Sequence, residues 1–115
     1  SYAIQLARNK IDFPKANKLV DDLILLDDRE VKSLNSKGRV LFYEKKYSDA
    51  LVYFLRALKE KENDAVLLDY TGDNYYFLGE IPKATEFWTK AKVFGSKNKY
   101  LDLKINTKIY HESLP

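Results

Sequence analysis

The sequence predicts an all-α fold of antiparallel helical hairpins stacked one on the next, and three observations predict it. First, residues of like size return at a fixed offset. Gly38 and Gly72 stand 34 residues apart, and the same offset joins Leu34 to Leu68, Leu41 to Tyr75, Tyr47 to Ile81, Ala50 to Ala84, Phe54 to Trp88 and Ala57 to Ala91. Second, small and apolar residues recur inside each period at spacings of three and four, which places them on one face of a helix. Third, glycine and proline punctuate the period where a hairpin has to turn. A single hairpin cannot bury its apolar face, so such units stack on their neighbours.

Taken in order, the first unit covers about 1–30. Phe13, Ala16, Val20 and Leu23 align with Tyr47, Ala50, Phe54 and Ala57, and Pro14 aligns with Pro82 two periods later. The second unit covers about 31–64, where Ser48 and Asp49 start the second helix. The third covers about 65–98: Leu68, Tyr75 and Leu78 form the first helix, Gly79 interrupts it, and Pro82 restarts the chain as a helix, because a first turn has no use for the missing N–H. Gly95 ends that hairpin, where a left-handed residue costs little. The alanines let two helices approach closely, and Phe54 and Trp88 fill the adjacent space. Residues 99–112 form a further lone helix with an apolar stripe at Leu101, Ile105 and Ile109.

The set Gly72, Tyr75, Gly79, Ala84, Trp88 and Ala91 resembles a tetratricopeptide repeat (TPR) of the bacterial type. Gly38, Leu41, Ala50, Phe54 and Ala57 carry the same resemblance in the second unit, and the first unit shares it in its second helix. The resemblance covers about 1–98 and implies one TPR domain over 1–115: a right-handed α-solenoid of about three units, closed by a C-terminal capping helix. Several positions depart from the family pattern. Asp28, Glu62 and Ser96 stand where a proline often ends the second helix, Lys37 and Thr71 stand where leucine is usual, and Ile4 replaces the small residue seen as Gly38 and Gly72. A snorkelling stem at an edge would accommodate Lys37.

The resemblance also implies a function, as a protein-interaction adaptor or scaffold whose first helices line a concave groove for a peptide or protein segment. Carried over column by column, the groove would present Gln5, Arg8, Asn9, Lys32, Asn35, Arg39, Tyr43, Asp69, Asp73, Tyr76 and Phe77, with Tyr100, Leu103 and Thr107 added by the capping helix. Its charge is polar along the chain, with Arg8, Lys32 and Arg39 toward the start and Asp69 and Asp73 toward the end. The family subclass that clamps a terminal carboxylate uses places held here by Ser1, Gln5, Ser36, Val66 and Tyr70, so that clamp is not expected. The alternative is self-association, or a scaffold element within a larger protein, through Tyr100, Leu103 and Tyr110.

Catalysis and cofactors are not expected. His111 is the only histidine and lies beside Glu112; there is no cysteine. Asp21-Asp22 and Asp27-Asp28 are adjacent pairs, and adjacent helical residues point apart, so neither reads as a metal or acid–base site; Asp27-Asp28 reads as a cap or link in the turn before the next helix. No glycine loop matches a phosphate-binding spacing. The formal net charge of +3 is mild, and the lysines of Lys59-Glu60-Lys61-Glu62 alternate with acids, so nucleic acid is not the expected partner and its binding through the lysines ranks third, behind the two protein-based readings. The longest apolar run, Leu23-Ile24-Leu25-Leu26, is far short of a membrane span. The chain opens on Ser1-Tyr2-Ala3-Ile4 without methionine, which reads as an excised fragment or processed chain.

Overall fold

The computed structural model describes residues 2–10 and 12–110. Among these residues the chain forms seven α-helices and no strand. They fall into two compact units, 1–62 and 63–115, each with its own helices.

The first unit holds α1 (Tyr2–Arg8), α2 (Phe13–Leu26), α3 (Val31–Tyr43) and α4 (Tyr47–Glu60). Asp12 caps α2 by accepting a hydrogen bond from the Lys15 amide at 2.9 Å, and Pro14 sits in the first turn. Ala3, Leu6 and Ala7 of α1 share one apolar cluster with Ala16 and Val20 of α2 and Val40 of α3; Phe13, Leu19 and Tyr43 border it. In the α3–α4 hairpin, a Cβ on Gly38 would lie 2.7 Å from Phe54 Cε1. The glycine is therefore there for close approach of the helices, not for a turn. Asp27 and Asp28 serve the α2–α3 link as expected: Asp27 Oδ1 accepts from the Arg29 amide at 3.0 Å, and the Asp28 carbonyl accepts from Arg56 Nη2 at 2.9 Å. Arg29 also forms a two-pronged pair with Glu60, at 3.0 and 3.2 Å.

The start of α4 differs in detail from expectation. Its cap position is Lys46, without a side-chain hydrogen bond, and Asp49 stands in the first turn. The turn itself is made by Lys45, whose φ of 65° is left-handed. Lys45 occupies the column of Gly79, whose φ is 81°. In both turns the next residue's amide reaches back five residues, Lys46 to the Leu41 carbonyl at 2.9 Å and Glu80 to Tyr75 at 3.0 Å. This is the left-handed helix stop, with lysine standing where glycine would cost less.

The second unit holds α5 (Ala65–Phe77), α6 (Ile81–Val93) and α7 (Leu101–Thr107). Asp64 caps α5 through the Leu67 amide at 3.1 Å, Pro82 lies in the first turn of α6, and Gly95 (φ 90°) ends the hairpin. Ala84, Trp88 and Ala91 are fully buried, and a Cβ on Gly72 would come within 2.5 Å of Trp88 Cδ1. Thr71, at a family leucine column, is also fully buried; its hydroxyl donates to the Leu67 carbonyl at 2.7 Å, so no polar atom there is left wanting.

The lone helix departs from its expected extent and face. It ends at Thr107 because Lys108 turns left-handed at φ 57°, which puts Ile109 beyond the helix and half exposed. Leu101 is buried and Ile105 only partly so, while the fully buried position is Lys104. His111 and Glu112 lie outside the described residues.

Candidate functional site

The first helices carry the expected site residues, and the two units treat them differently. On α3 of the first unit, Lys32, Asn35, Arg39 and Tyr43 follow at helical spacing along one stripe, with Lys32 exposed and the other three half-buried. The α3 residues between them, from Ser33 to Phe42, are all buried. On α1, Gln5 is exposed and Arg8 is half-buried, beside buried Ala3, Ile4, Leu6 and Ala7, and Asn9, just past the end of the helix, is exposed. The two stripes meet where Arg8 Nε donates to the Tyr43 hydroxyl at 3.2 Å, with the guanidinium 5.6 Å from the ring centre. The structure thus brings Arg8 and Tyr43 together, and Gln5, Asn9, Lys32, Asn35 and Arg39 are exposed or half-buried nearby in the sequence of the same two segments.

Lys37, out of place as a family leucine, is not at a loose edge. Its side chain is nearly buried, and its ammonium is held by Asn17 Oδ1 at 2.7 Å and Asp21 at 3.0 Å, 5.9 Å from the Tyr53 ring centre. It ties α3 to α2, and it accounts for Asp21, one half of the first acidic pair.

In the second unit the same stripe on α5 reads Asp69, Asp73, Tyr76 and Phe77. The expectation that both aspartates stand open to a partner is corrected here. Asp69 and Asp73 are buried at 7% and 6% exposure. Lys104 of α7 is fully buried above them and donates to Asp69 Oδ1 at 2.6 Å and Asp73 Oδ1 at 2.8 Å. Trp88 Nε1 donates to the same Asp73 oxygen at 2.9 Å, and Asn98 Nδ2 to Asp69 Oδ2 at 2.7 Å. The ammonium also lies 5.5 Å from the Trp88 ring centre and 5.9 Å from that of Tyr110. Burying a lone ammonium or carboxylate is strongly unfavourable, so each group is held here by the others. Burial pushes the Asp73 carboxyl up to about 7; Lys104 opposes the rise and the charge of Asp69 adds to it.

Tyr76 is half-buried and Phe77 exposed at 39%. Tyr110, expected to face water or a partner, instead meets Phe77 edge-on at 4.8 Å and Tyr76 at 6.3 Å. Of the residues expected from the lone helix, Leu103 and Thr107 are exposed and Tyr100 is half-buried; the Thr107 hydroxyl returns to the Leu103 carbonyl at 2.7 Å. Sequence reasoning missed Lys104. The available signal was Asp69 and Asp73 themselves, two acids one helical turn apart in columns that hold Asn35 and Arg39 one period earlier, a pairing that calls for a cation.

Among the described residues no three His, Cys, Asp or Glu side chains converge as metal ligands would, and no helix is long and apolar enough to cross a membrane.

No protein-family model matches the sequence. No curated protein matches it as a relative. Solved structures do match in fold. The chain is similar to the Yersinia enterocolitica type III secretion chaperone SycD, solved in complex with a peptide of the translocator YopD, with a TM-score of 0.73 and 15% identity over 93% of this chain and 86% of that one. It is also similar to PcrH in complex with the chaperone-binding region of PopD, with a TM-score of 0.69 and 14% identity over 93% of this chain and 83% of that one. The fold is therefore an all-α helical repeat of the solenoid class.

Proposed function

We propose that this chain is a non-enzymatic TPR-type interaction module that holds a peptide or protein segment against the faces of its first helices. The observation that carries the reading is the α1–α3 face. Its polar and aromatic side chains Gln5, Arg8, Asn9, Lys32, Asn35, Arg39 and Tyr43 are exposed or half-buried on α1, the turn after it and α3, among neighbours that are buried. Arginine and tyrosine serve well as interface anchors, because each combines contact area with hydrogen bonding. Two proteins of this fold have been solved holding peptide segments, which supports the same use here. In the second unit, Tyr76 and Phe77 are the corresponding candidates, while Asp69 and Asp73 are engaged with Lys104. With that acidic pair covered, the face of the first unit is cationic, and a segment with acidic residues among apolar ones suits it.

The test is affinity capture from the native lysate with the wild type and with a Lys32→Glu, Arg39→Glu variant, whose folding is checked by far-UV circular dichroism. A protein retained by the wild type and lost by the folded variant supports the reading; equal recovery by both overturns this choice of face.

Self-association is the second reading. Leu25 and Leu26 of α2 are both 84% exposed and Leu23 is half exposed, an apolar patch unlike the rest of that helix. A mass that rises with concentration for the wild type, and stays monomeric for Leu23→Ser, Leu26→Ser, would favour it.

A further inference from the structure

The Lys104 cluster is unbalanced in charge. Two carboxylates, with side-chain exposures of 11% and 8%, share one ammonium of 0% exposure. Two neutral groups also face the carboxylates: the Trp88 indole N–H from α6 and the Asn98 amide from the segment before α7. On α7 itself, Asp102 points to Lys92 at 2.7 Å on the surface. Lys104 is the cation that the structure places in this triad. Fully ionised, its three groups carry one net negative charge at a buried site. With one proton it is neutral, and every short contact seen here remains possible.

We propose that α7 is a proton-controlled latch on the second unit: a proton shared by Asp69 and Asp73 keeps the triad neutral and α7 docked, and loss of that proton loosens α7 and uncovers the face of α5. The helix suits the role. It has seven residues, no side-chain cap at its start and a left-handed stop at Lys108. A helix this short does not persist in water unless docking holds it. Beneath it lie Asp69 and Asp73, on the stripe that continues to Tyr76 and Phe77.

The direction follows from linkage. With α7 lifted, the Asp73 carboxylate returns to water, where a carboxylate titrates in its ordinary range near 4. With α7 docked, burial raises the Asp73 carboxyl to about 7. The docked form thus binds the proton more tightly. Docking is strongest below the ordinary range, and it weakens by about tenfold per pH unit until about pH 7, beyond which it changes no further.

The test uses the full chain between pH 5.5 and 8.5. Amide exchange of 103–108, corrected for the chemical exchange rate, reads the docking of α7. Emission of Trp88, the only tryptophan, reads the state of the Asp73 oxygen it touches. The expected result is a loss of protection by at least tenfold from pH 5.5 to 7, in step with the change in Trp88 emission. Asp73→Asn should give a flat profile at high protection, and Asp69→Asn serves the same purpose if that variant does not fold. His111→Gln, which removes the sole histidine, should leave the profile as in the wild type. A flat wild-type profile would overturn the latch. So would a transition that survives both asparagine variants, one that disappears with His111, or a change in Trp88 emission without any change in α7 exchange.

Discussion

Replacing Gly72 by alanine is the smallest change that should unseat the α5–α6 hairpin. The added methyl would sit 2.5 Å from Trp88 Cδ1, 2.7 Å from Trp88 Nε1 and 3.1 Å from the Ala84 carbonyl oxygen. None of these neighbours yields easily. Trp88 is fully buried and its indole is tied to Asp73, and the Ala84 oxygen is backbone. Overpacking of this kind costs about 1–3 kcal/mol, and the fixed neighbours put this case at the upper end. Alanine returns about 1 kcal/mol as the better helix former, so a net loss of roughly 2 kcal/mol is expected. Urea unfolding followed by far-UV circular dichroism measures it. The double variant Gly72→Ala, Trp88→Leu supplies the control, because a smaller side chain at 88 makes room for the methyl; its cost should be less than the sum of the two single costs. Gly79→Ala separates the mechanisms. A Cβ at Gly79 meets nothing within 4 Å, but φ is 81°, so that variant should lose stability through backbone strain and gain nothing from Trp88→Leu. Unchanged or increased stability of Gly72→Ala would refute the close-approach reasoning, as would strict additivity with Trp88→Leu.

Three further outcomes follow from the same contacts. Trp88→Ala should lower stability by about 3–5 kcal/mol in the same unfolding assay, since it empties a fully buried aromatic site and removes the indole donor from Asp73. Lys45→Gly should raise the thermal midpoint, with a gain of about 1 kcal/mol, because glycine adopts the left-handed conformation that lysine is forced into there. Lys104→Ala should strip the amide protection of α7 at pH 6 while the α5–α6 hairpin keeps its helical signal, because two buried carboxylates are left without their ammonium.

Most of the fold was legible because it is written in repeated columns. Gly38 with Gly72, Phe54 with Trp88, and the alanines recur at one offset, and each is fixed by contacts inside a single hairpin, which local sequence can express. The residues that escaped depend on partners far along the chain. Lys104 sits in a helix whose apolar stripe reads as Leu101, Ile105 and Ile109, and its burial follows only once Asp69 and Asp73, more than 30 residues earlier, are placed beneath it. The same holds for Lys37, whose burial depends on Asn17 and Asp21 of another helix. The end of α7 was illegible for a different reason: Lys108 in a left-handed conformation carries no glycine or asparagine to announce it. Of the expected site, Arg8 and Tyr43 meet as their columns suggested, and the acidic half was misread because a charged residue on a repeat's first helix reads as open whether or not a later helix covers it.

The central claim, that a partner segment lies along the first helices, is tested most directly by site-specific photo-crosslinking in the native lysate. A photoreactive residue replaces Gln5 or Lys32 on the first helices, or Lys18, Lys59 or Lys90 on the exposed sides of α2, α4 and α6. The account predicts one discrete crosslinked protein from Gln5 and Lys32 and none from the other three. Crosslinks to the same protein from Lys18, Lys59 or Lys90, with none from Gln5 or Lys32, would contradict it.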